Sequence, residues 1–254
     1  MSAPAASSFT FEPVFLVLGA GAGVAYARAL RGRLRTWRTA VFALGLALVV
    51  VPLNSPLETV AAHYLLLAHL LQNAVIADWA PPLLILGLTP GLRAGIARRG
   101  GATLERLTRL RVALPVWLAA WYGVHLPAFY DFALRHGWPL NVEHAILLGA
   151  GLLFWWPILS DEPRPMAAPL ALGYLGIAFA TSVFLGLAFM FSTSPFYDFY
   201  VHAPRLWGLS PAKDQNFGGV LMNGEQTLVF LIALGWFFMR LLDEEHARGE
   251  ADAA

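Results

Sequence analysis

Ligand-type side chains interrupt an apolar run, "HYLLLAHLLQNAVIADWAPPLLILG", that begins at His63. It contains two histidines, a glutamine, an asparagine and an aspartate among residues otherwise apolar enough for a lipid bilayer. Imidazole suits copper, zinc or haem iron, and ionisable groups inside a membrane usually face a bundle interior or a wet cavity. The same groups can also link helices by hydrogen bonds. The stretch therefore has two interpretations, a metal or haem site and interhelical hydrogen bonding. Which of them applies depends on how the helices position these residues.

The composition places the chain in the class of integral membrane proteins. Its residues are 58% hydrophobic and 13% charged, with a mean hydropathy of +0.60, whereas a soluble domain carries about 25% charged residues. There is no cysteine, which excludes a disulfide framework and a thiolate metal site. We expect one membrane domain over residues 1–242 and a short polar, solvated C-terminal tail over residues 243–254.

Apolar length and helix breakers predict an all-α fold with seven transmembrane helices. The third is predicted to begin near Leu57 and to end near Trp79, because Pro81-Pro82 should break the helix. The segment "PLLILGL" that follows is predicted to lie in the interface or to dip back into the protein. The other six spans are predicted at about residues 13–30, 37–53, 112–133, 142–159, 167–191 and 218–240.

Basic residues orient this arrangement. Fourteen of the 17 Lys and Arg residues fall on one side of the predicted spans, and the positive-inside rule places that side in the cytoplasm. The N-terminus is therefore predicted outside and the C-terminus in the cytoplasm. The fourteen are Arg28, Arg31, Arg33, Arg35, Arg38, Arg93, Arg98, Arg99, Arg106, Arg109, Arg111, Arg164, Arg240 and Arg248, and the other three are Arg135, Arg205 and Lys213.

Polar residues from several predicted spans share one depth, toward the outer side. If the helices touch, these side chains line a cavity open to the outside that offers imidazole, carboxylate, amide and thioether groups. The candidate metal ligands are His63, His69, His125, Glu143, His144 and Met222, and the candidate supporting residues are Gln72, Asn73, Asp214 and Gln215. Structural interpretations stand beside these: interhelical hydrogen bonding for the histidines and amides, helix N-terminal stabilisation for Glu143, and packing for Met222. We interpret Asp78 and Trp79 as an interfacial anchor or as partners of an inner-side arginine.

Five stretches, in this order, carry a resemblance to a known family: "NSPLETVAAHYLLLAHLLQNAVIADWAPPLLILGLTP", "HLPAFYDFAL", "EHAILLGAGLLFWWPIL", "LGLAFMFSTSPFYDFY" and "DQNFGGVLMNGEQ". Together they resemble the CtaG family of cytochrome c oxidase assembly factors, over about residues 54–226. The positions that match the family's pattern are His63, His69, Gln72, His125, Glu143, His144, Asp214, Gln215, Gly218 and Gly219.

The resemblance implies a non-enzymatic, multi-pass protein of the bacterial cell membrane that helps to form active cytochrome c oxidase, at the stage of copper insertion. Its implied partners are cytochrome c oxidase subunits and the lipid bilayer, with no nucleic acid. Two positions depart from the family's pattern, because Asn73 and Leu140 stand where the family often has histidine. The metal site is then smaller here, uses different ligands, or is absent.

Two other functions fit membrane-embedded histidines and carboxylates. Histidines on different spans could serve as axial ligands of haem, and intramembrane Asp, Glu and His also mark proton or ion paths. The polar groups thin out toward the cytoplasmic side, which disfavours a conduit. A hydrolase is disfavoured because the chain has no convincing nucleophile elbow and no helical His-Glu-x-x-His zinc motif.

Overall fold

The computed structural model describes residues 3–31 and 36–253, which form α-helices and contain no strand. Arg33 and Arg35, two arginines used to predict the orientation, lie outside the described residues. A π-helical turn, Val75–Trp79, joins α4 to α5. The helices in this part of the chain are α1 (Pro13–Ala29), α2 (Trp37–Leu53), α3 (Pro56–His63), α4 (Leu66–Ala74), α5 (Ala80–Gly87), α6 (Pro90–Leu107), α7 (Leu110–Val124), α8 (Pro127–His136), α9 (Trp138–Leu159), α10 (Ala168–Phe191), α11 (Asp198–His202) and α12 (Pro211–Ala253).

Among the described residues, four helices are long and apolar enough to cross a membrane. They are Leu66–Gly87, Trp138–Leu159, Ala168–Phe191 and Pro211–Arg248. Two bent pairs, α2 with α3 at 51° and α7 with α8 at 66°, raise the number to six if each pair is one span. The apolar helix α1 is shorter. The all-α, multi-pass character is confirmed, while the exact number of seven spans and the orientation stay predictions.

The predicted end of the third span, near Trp79, was wrong. The helix does not stop at Pro81-Pro82 but continues to Gly87. The π-helical turn Val75–Trp79 comes directly before the prolines, and both prolines lie in the first turn of α5, where a missing N–H group costs little. The segment that we expected to be interfacial or re-entrant is therefore the last part of a span.

The helix is interrupted instead between α3 and α4. Leu65 is extended, with φ of −130° and ψ of 126°, so α4 starts as a new helix. The carboxylate of Asp214 accepts hydrogen bonds from the N–H groups of Leu66 at 2.8 Å and Leu67 at 3.0 Å. It thereby satisfies two of the donors that a helix N-terminus leaves free. His63 and His69, which we expected on one span, lie on different helices.

Hydrogen bonds between helix ends show which ends of the bundle lie together. Nη1 of Arg38 donates to the carbonyl groups of Leu86 at 2.8 Å and Leu88 at 3.0 Å. Nη1 of Arg93 donates to the carbonyl of Leu159 at 2.7 Å. These contacts join the start of α2, the end of α5, the start of α6 and the end of α9 at one end of the bundle. We call it the arginine-rich end.

Adjacent glycines let α12 lie against both α4 and α10. A Cβ atom on Gly218 would meet Cδ1 of Leu70 at 2.6 Å, and one on Gly219 would meet the backbone nitrogen of Met190 at 2.5 Å and the carbonyl oxygen of Gly186 at 2.6 Å. Real Cβ atoms do not approach backbone this closely. Only glycine permits the approach of α12 to α10, which holds the start of α12 beside the start of α4.

The polar tail predicted from residue 243 onward is helical, because α12 continues to Ala253. Ion pairs within the helix join Arg240 to Glu244 at 3.0 Å and Arg248 to Glu245 at 2.8 Å. Such pairs, three or four residues apart, stabilise exposed helices by a few tenths of a kcal/mol each, about 0.2–0.5.

Candidate functional site

A histidine and a carboxylate from two spans meet in the interior of the bundle. Nε2 of His69 on α4 lies 3.3 Å from Oε1 of Glu143 on α9. Both side chains are buried, with 2% and 0% of their surface exposed. Nδ2 of Asn73, one turn further along the same span, donates to Oε1 of Glu143 at 2.7 Å. The expected convergence of polar groups from different spans is present for these three residues.

The hydrogen bonds around His69 fix its protonation pattern. The hydroxyl of Tyr200 donates to the carbonyl of Ala61 at 2.6 Å, so its oxygen accepts from Nδ1 of His69, 3.1 Å away. Nδ1 therefore carries a proton. Nε2 is left facing Glu143, and that contact is attractive only if a proton or a metal ion lies between the two atoms.

His144 adjoins this pair directly, and His125 is linked to it through the ring of Tyr130. The ring of His144 lies 5.8 Å from the ring of His69, measured between centroids, in an edge-on arrangement. The ring of His125 lies 5.8 Å from the ring of Tyr130, which is itself 4.8 Å from the ring of His69. Four of the predicted ligands therefore lie in one buried region, which we call the His–Glu cluster: His69, His125, Glu143 and His144.

The cluster contains ring nitrogens that have no partner. Nδ1 of His125 lies 2.6 Å from the carbonyl oxygen of Trp121. Because a carbonyl can only accept, Nδ1 is the donor, and in the neutral ring Nε2 then carries the lone pair. Nε2 of His125 and Nε2 of His144 are both buried without a hydrogen-bond partner among the described residues. Oε2 of Glu143 has none either. Buried polar atoms are normally paired, so these atoms are available to a ligand.

Three tyrosines surround the cluster, and the sequence analysis did not select them as site residues. Tyr200 contacts His69 as described, and the hydroxyl of Tyr197 donates to the carbonyl of His125 at 2.9 Å. The rings of Tyr130 and Tyr197 stack 4.2 Å apart. The available signal was the tyrosines in "HLPAFYDFAL" and "SPFYDFY", because a tyrosine can fill a core and still bond a histidine.

Three of the four predicted supporting residues hold the backbone rather than the histidines. Asp214 caps α4, as described. Nε2 of Gln72 donates to the carbonyl of Pro52 at 3.0 Å and to Oε2 of Glu58 at 2.8 Å. The Pro52 carbonyl lacks its usual helical partner because the residue four positions later, Pro56, has no N–H group, and it accepts from Gln72 and from the hydroxyl of Ser55, at 3.3 Å, instead. Gln72 therefore stabilises the junction between α2 and α3.

Gln215 stabilises the loop that precedes α11. Its Oε1 accepts from the N–H of Phe196 at 2.7 Å, and its Nε2 donates to the carbonyl of Ser194 at 3.2 Å. Asn73, the fourth supporting residue, is the one that contacts a predicted ligand directly.

Two predicted ligands make no hydrogen bond to the buried histidines among the described residues. Met222 is buried in the apolar core with Leu70 and Leu147. His63 is half-buried and lines a separate cavity with Arg135 and His202.

The His–Glu cluster is not a preassembled metal site. Within residues 3–31 and 36–253, no three His, Asp or Glu side chains are arranged to hold one metal ion as they stand. The arrangement instead offers one close pair, His69 and Glu143, with unpartnered imidazole nitrogens beside it. Such a site can bind a proton, or it can take up a metal ion if a neighbouring ring turns toward it.

Comparison with known proteins finds one matching family model and several similar mycobacterial proteins. A family model described as "Cytochrome c oxidase caa3 assembly factor (Caa3_CtaG)" matches residues 11–244. Uncharacterized proteins of Mycobacterium bovis and Mycobacterium tuberculosis are each 29% identical over 230 residues, which cover 81% of this chain and 34% of the relative. An uncharacterized protein of Mycobacterium leprae is 26% identical over 259 residues, 91% of this chain and 38% of the relative. The chain thus spans little more than a third of these relatives, and no solved structure matches it.

Proposed function

The chain belongs to the family of cytochrome c oxidase caa3 assembly factors, and we propose that it receives copper at the His–Glu cluster and passes it to the oxidase during assembly. The observation that carries this proposal is the contact between Nε2 of His69 and Oε1 of Glu143 at 3.3 Å. In this view copper is cargo, and the protein catalyses no reaction.

The tyrosine bond to His69 supports this role. A metal-binding imidazole almost always donates its other ring N–H to a hydrogen-bond acceptor, which fixes the ring and its tautomer. Nδ1 of His69 donates to the hydroxyl of Tyr200 in this way. Nε2 is thereby held toward Glu143 as the coordinating atom.

Charge balance favours a singly charged ion. A cation inside a membrane is costly unless an opposite charge accompanies it. Glu143 supplies one negative charge at the cluster, and a copper(I) ion would neutralise it. Without copper, a proton between His69 and Glu143 neutralises the same negative charge. Copper binding therefore releases this proton.

The open coordination shell fits delivery rather than storage. His144 and His125 can each add an imidazole nitrogen that is unpartnered in the structure. Because no three ligands are preassembled among the described residues, copper binding requires a side-chain rearrangement. The ion is therefore held less tightly than in a closed site, which allows transfer to an oxidase subunit.

The position of the cluster fits uptake from the outer side of the bacterial cell membrane. His69 is the fourth residue of the span Leu66–Gly87 and Glu143 the sixth residue of the span Trp138–Leu159. Both spans have their other ends at the arginine-rich end. If that end faces the cytoplasm, as the positive-inside rule predicts, the cluster lies within about two helical turns of the outer boundary.

The packing argues against haem between His69 and His144. Axial ligands lie on opposite faces of the macrocycle, whereas these two rings lie 5.8 Å apart and edge-on with Glu143 beside them. The space between them does not admit a porphyrin.

Complementation of a deletion strain under copper limitation tests the proposed function. Cells without the protein should assemble oxidase subunits that are poor in copper and low in activity. Wild type and His202→Ala, an exposed histidine away from the cluster, should restore activity, whereas His69→Ala and Glu143→Gln should not. Fully active oxidase in copper-limited deletion cells would overturn the proposal.

A further inference from the structure

A second polar site lies outside the His–Glu cluster, at Asp78 and Glu225. We interpreted Asp78 as an interfacial anchor or as a partner of an inner-side arginine, but the structure buries it completely, with 0% exposed, and no arginine among the described residues forms an ion pair with it. It lies in the π-helical turn Val75–Trp79, and such turns often occur at functional sites.

Glu225 reaches the same turn, because its Oε2 accepts from Nε1 of Trp79, the residue after Asp78, at 3.0 Å. This contact brings the two carboxyl groups close together. Both oxygens of Asp78 and Oε1 of Glu225 are otherwise buried without a partner. Two adjacent carboxylates in a medium of low dielectric cannot both ionise, so the pair shares a proton. Even then, it has more acceptor oxygens than donors.

Asp78 lines a cavity of about 460 Å³ that runs to the arginine-rich end. Its walls are mainly apolar and include Leu83, Trp155 and Val229, while Asp161 and Arg240 are its other charged lining residues. Arg240 is already paired with Glu244, at 3.0 Å. Ile232 and Trp236, which also line it, are 63% and 69% exposed, so the cavity is open toward the lipid.

The carboxyl pair and the apolar cavity together define the chemistry of a ligand that would bind here. The carboxyl pair needs hydrogen-bond donors and a positive charge, and within residues 3–31 and 36–253 no Lys, Arg or His forms an ion pair with it. A bare hard cation does not fit, because it takes six or more oxygen ligands, whereas the cavity lining offers the carboxylates of Asp78 and Asp161 among mainly apolar side chains. We propose that this cavity binds a membrane-soluble amine, with its ammonium group on Asp78 and Glu225 and its apolar body along the cavity.

Entry from the bilayer follows from the same geometry. The exposed side chains of Ile232 and Trp236 form the rim, and the deepest polar atoms are those of Asp78. A neutral amine can partition into the lipid, enter past the rim and accept the proton that the carboxyl pair shares. The N–H bond forms as the O–H bond breaks, and both carboxyl groups are then ionised because the ammonium between them offsets the added negative charge.

Binding of dodecylamine to the full chain in lipid nanodiscs tests the proposal, with dodecanol and dodecanoate as chain-matched probes. Dodecylamine should raise the thermal unfolding midpoint in a saturable way, whereas dodecanol should act at least tenfold more weakly and dodecanoate not at all. Asp78→Asn and Glu225→Gln should each weaken the amine response at least tenfold, and the exposed control Asp243→Asn should leave it unchanged.

A cavity-filling variant keeps the test decisive if a carboxyl variant fails to fold. Ala233→Trp retains both carboxyl groups but occupies the cavity, and it should also abolish the saturable response. An equal response to all three probes, or full amine binding by Glu225→Gln or Ala233→Trp, would overturn the proposal. Copper binding at the His–Glu cluster should be unchanged in these variants, so the two sites are tested separately.

Discussion

Asp214 on α12 accepts a hydrogen bond from the N–H group of Leu66 at 2.8 Å, across 148 positions of the chain. The bond caps the helix that carries His69 three residues later. The residue that we expected to support a metal ligand directly therefore acts through the backbone, by fixing where α4 begins. The position of His69 depends on this contact between two distant spans.

Loss of this cap should destabilise the protein. Asp214→Ala removes the acceptor for two N–H groups and leaves them buried, which should cost about 1–3 kcal/mol. Asp214→Asn retains an acceptor and should cost less. Thermal unfolding in detergent measures the difference, and equal stability of Asp214→Ala and wild type would contradict the capping role.

Substitution of the glycines on α12 should show where the helices are in closest contact. Gly219→Ala places a methyl group against the backbone of α10, so it should lower the thermal midpoint by several degrees or prevent folding. Gly224→Ala is the matched control on the same helix, because a Cβ atom there meets nothing within 4 Å. Its stability should equal or slightly exceed that of wild type, since alanine favours helix. Similar losses in both variants would contradict the close packing.

Arg93 should stabilise the arginine-rich end. It is 8% exposed, burial lowers the pKa of its guanidinium group, and it donates to the carbonyls of Leu159 at 2.7 Å and Ile85 at 3.2 Å. Arg93→Ala should cost about 1.5–3 kcal/mol, the range for hydrogen bonds to a charged group.

A lysine variant separates geometry from charge at this position, and Arg109→Ala is the control at a half-exposed arginine. Arg93→Lys should recover little, because an ammonium group cannot reproduce the planar array of donors. Arg109→Ala removes a half-exposed arginine and should change stability by no more than about 0.5 kcal/mol. Full rescue by lysine in an unfolding experiment would show that charge alone matters.

Tyr200 should tune the histidine that it contacts. Tyr200→Phe removes the hydroxyl that accepts from Nδ1 of His69, and the loss of such a partner typically lowers metal affinity by about 10–100-fold. Tyr122→Phe, whose hydroxyl bonds to the Thr181 carbonyl elsewhere, should bind copper as wild type does. Competition against a copper(I) chelator gives the affinities, and an unchanged value for Tyr200→Phe would remove the tyrosine from the site.

The sequence predicted the class of the fold and the residues of the cluster because both depend on local patterns. Apolar runs identify spans, and Glu143 and His144 are near the start of one. That His69 and Glu143 would meet could be expected only as a consequence of shared depth. Their contact depends on how two spans pack, which one sequence does not specify.

Other features could not be predicted because they arise from interactions between distant residues. Pro81-Pro82 is a strong local breaker, yet a π-helical turn before it allows the span to continue. The true break at Leu65 is stabilised by Asp214, far along the chain. Asp78 was misassigned for the same reason, since its partner Glu225 lies on the last span.

X-ray absorption spectroscopy of the copper-loaded protein tests the central claim most directly. Wild type and His202→Ala should each retain copper with nitrogen or oxygen neighbours and the outer-shell scattering of imidazole. His69→Ala should lose at least one imidazole contribution together with most of the bound copper. Retention of copper by His69→Ala with an unchanged spectrum, or no copper retained by the wild type, would contradict the assignment of the His–Glu cluster.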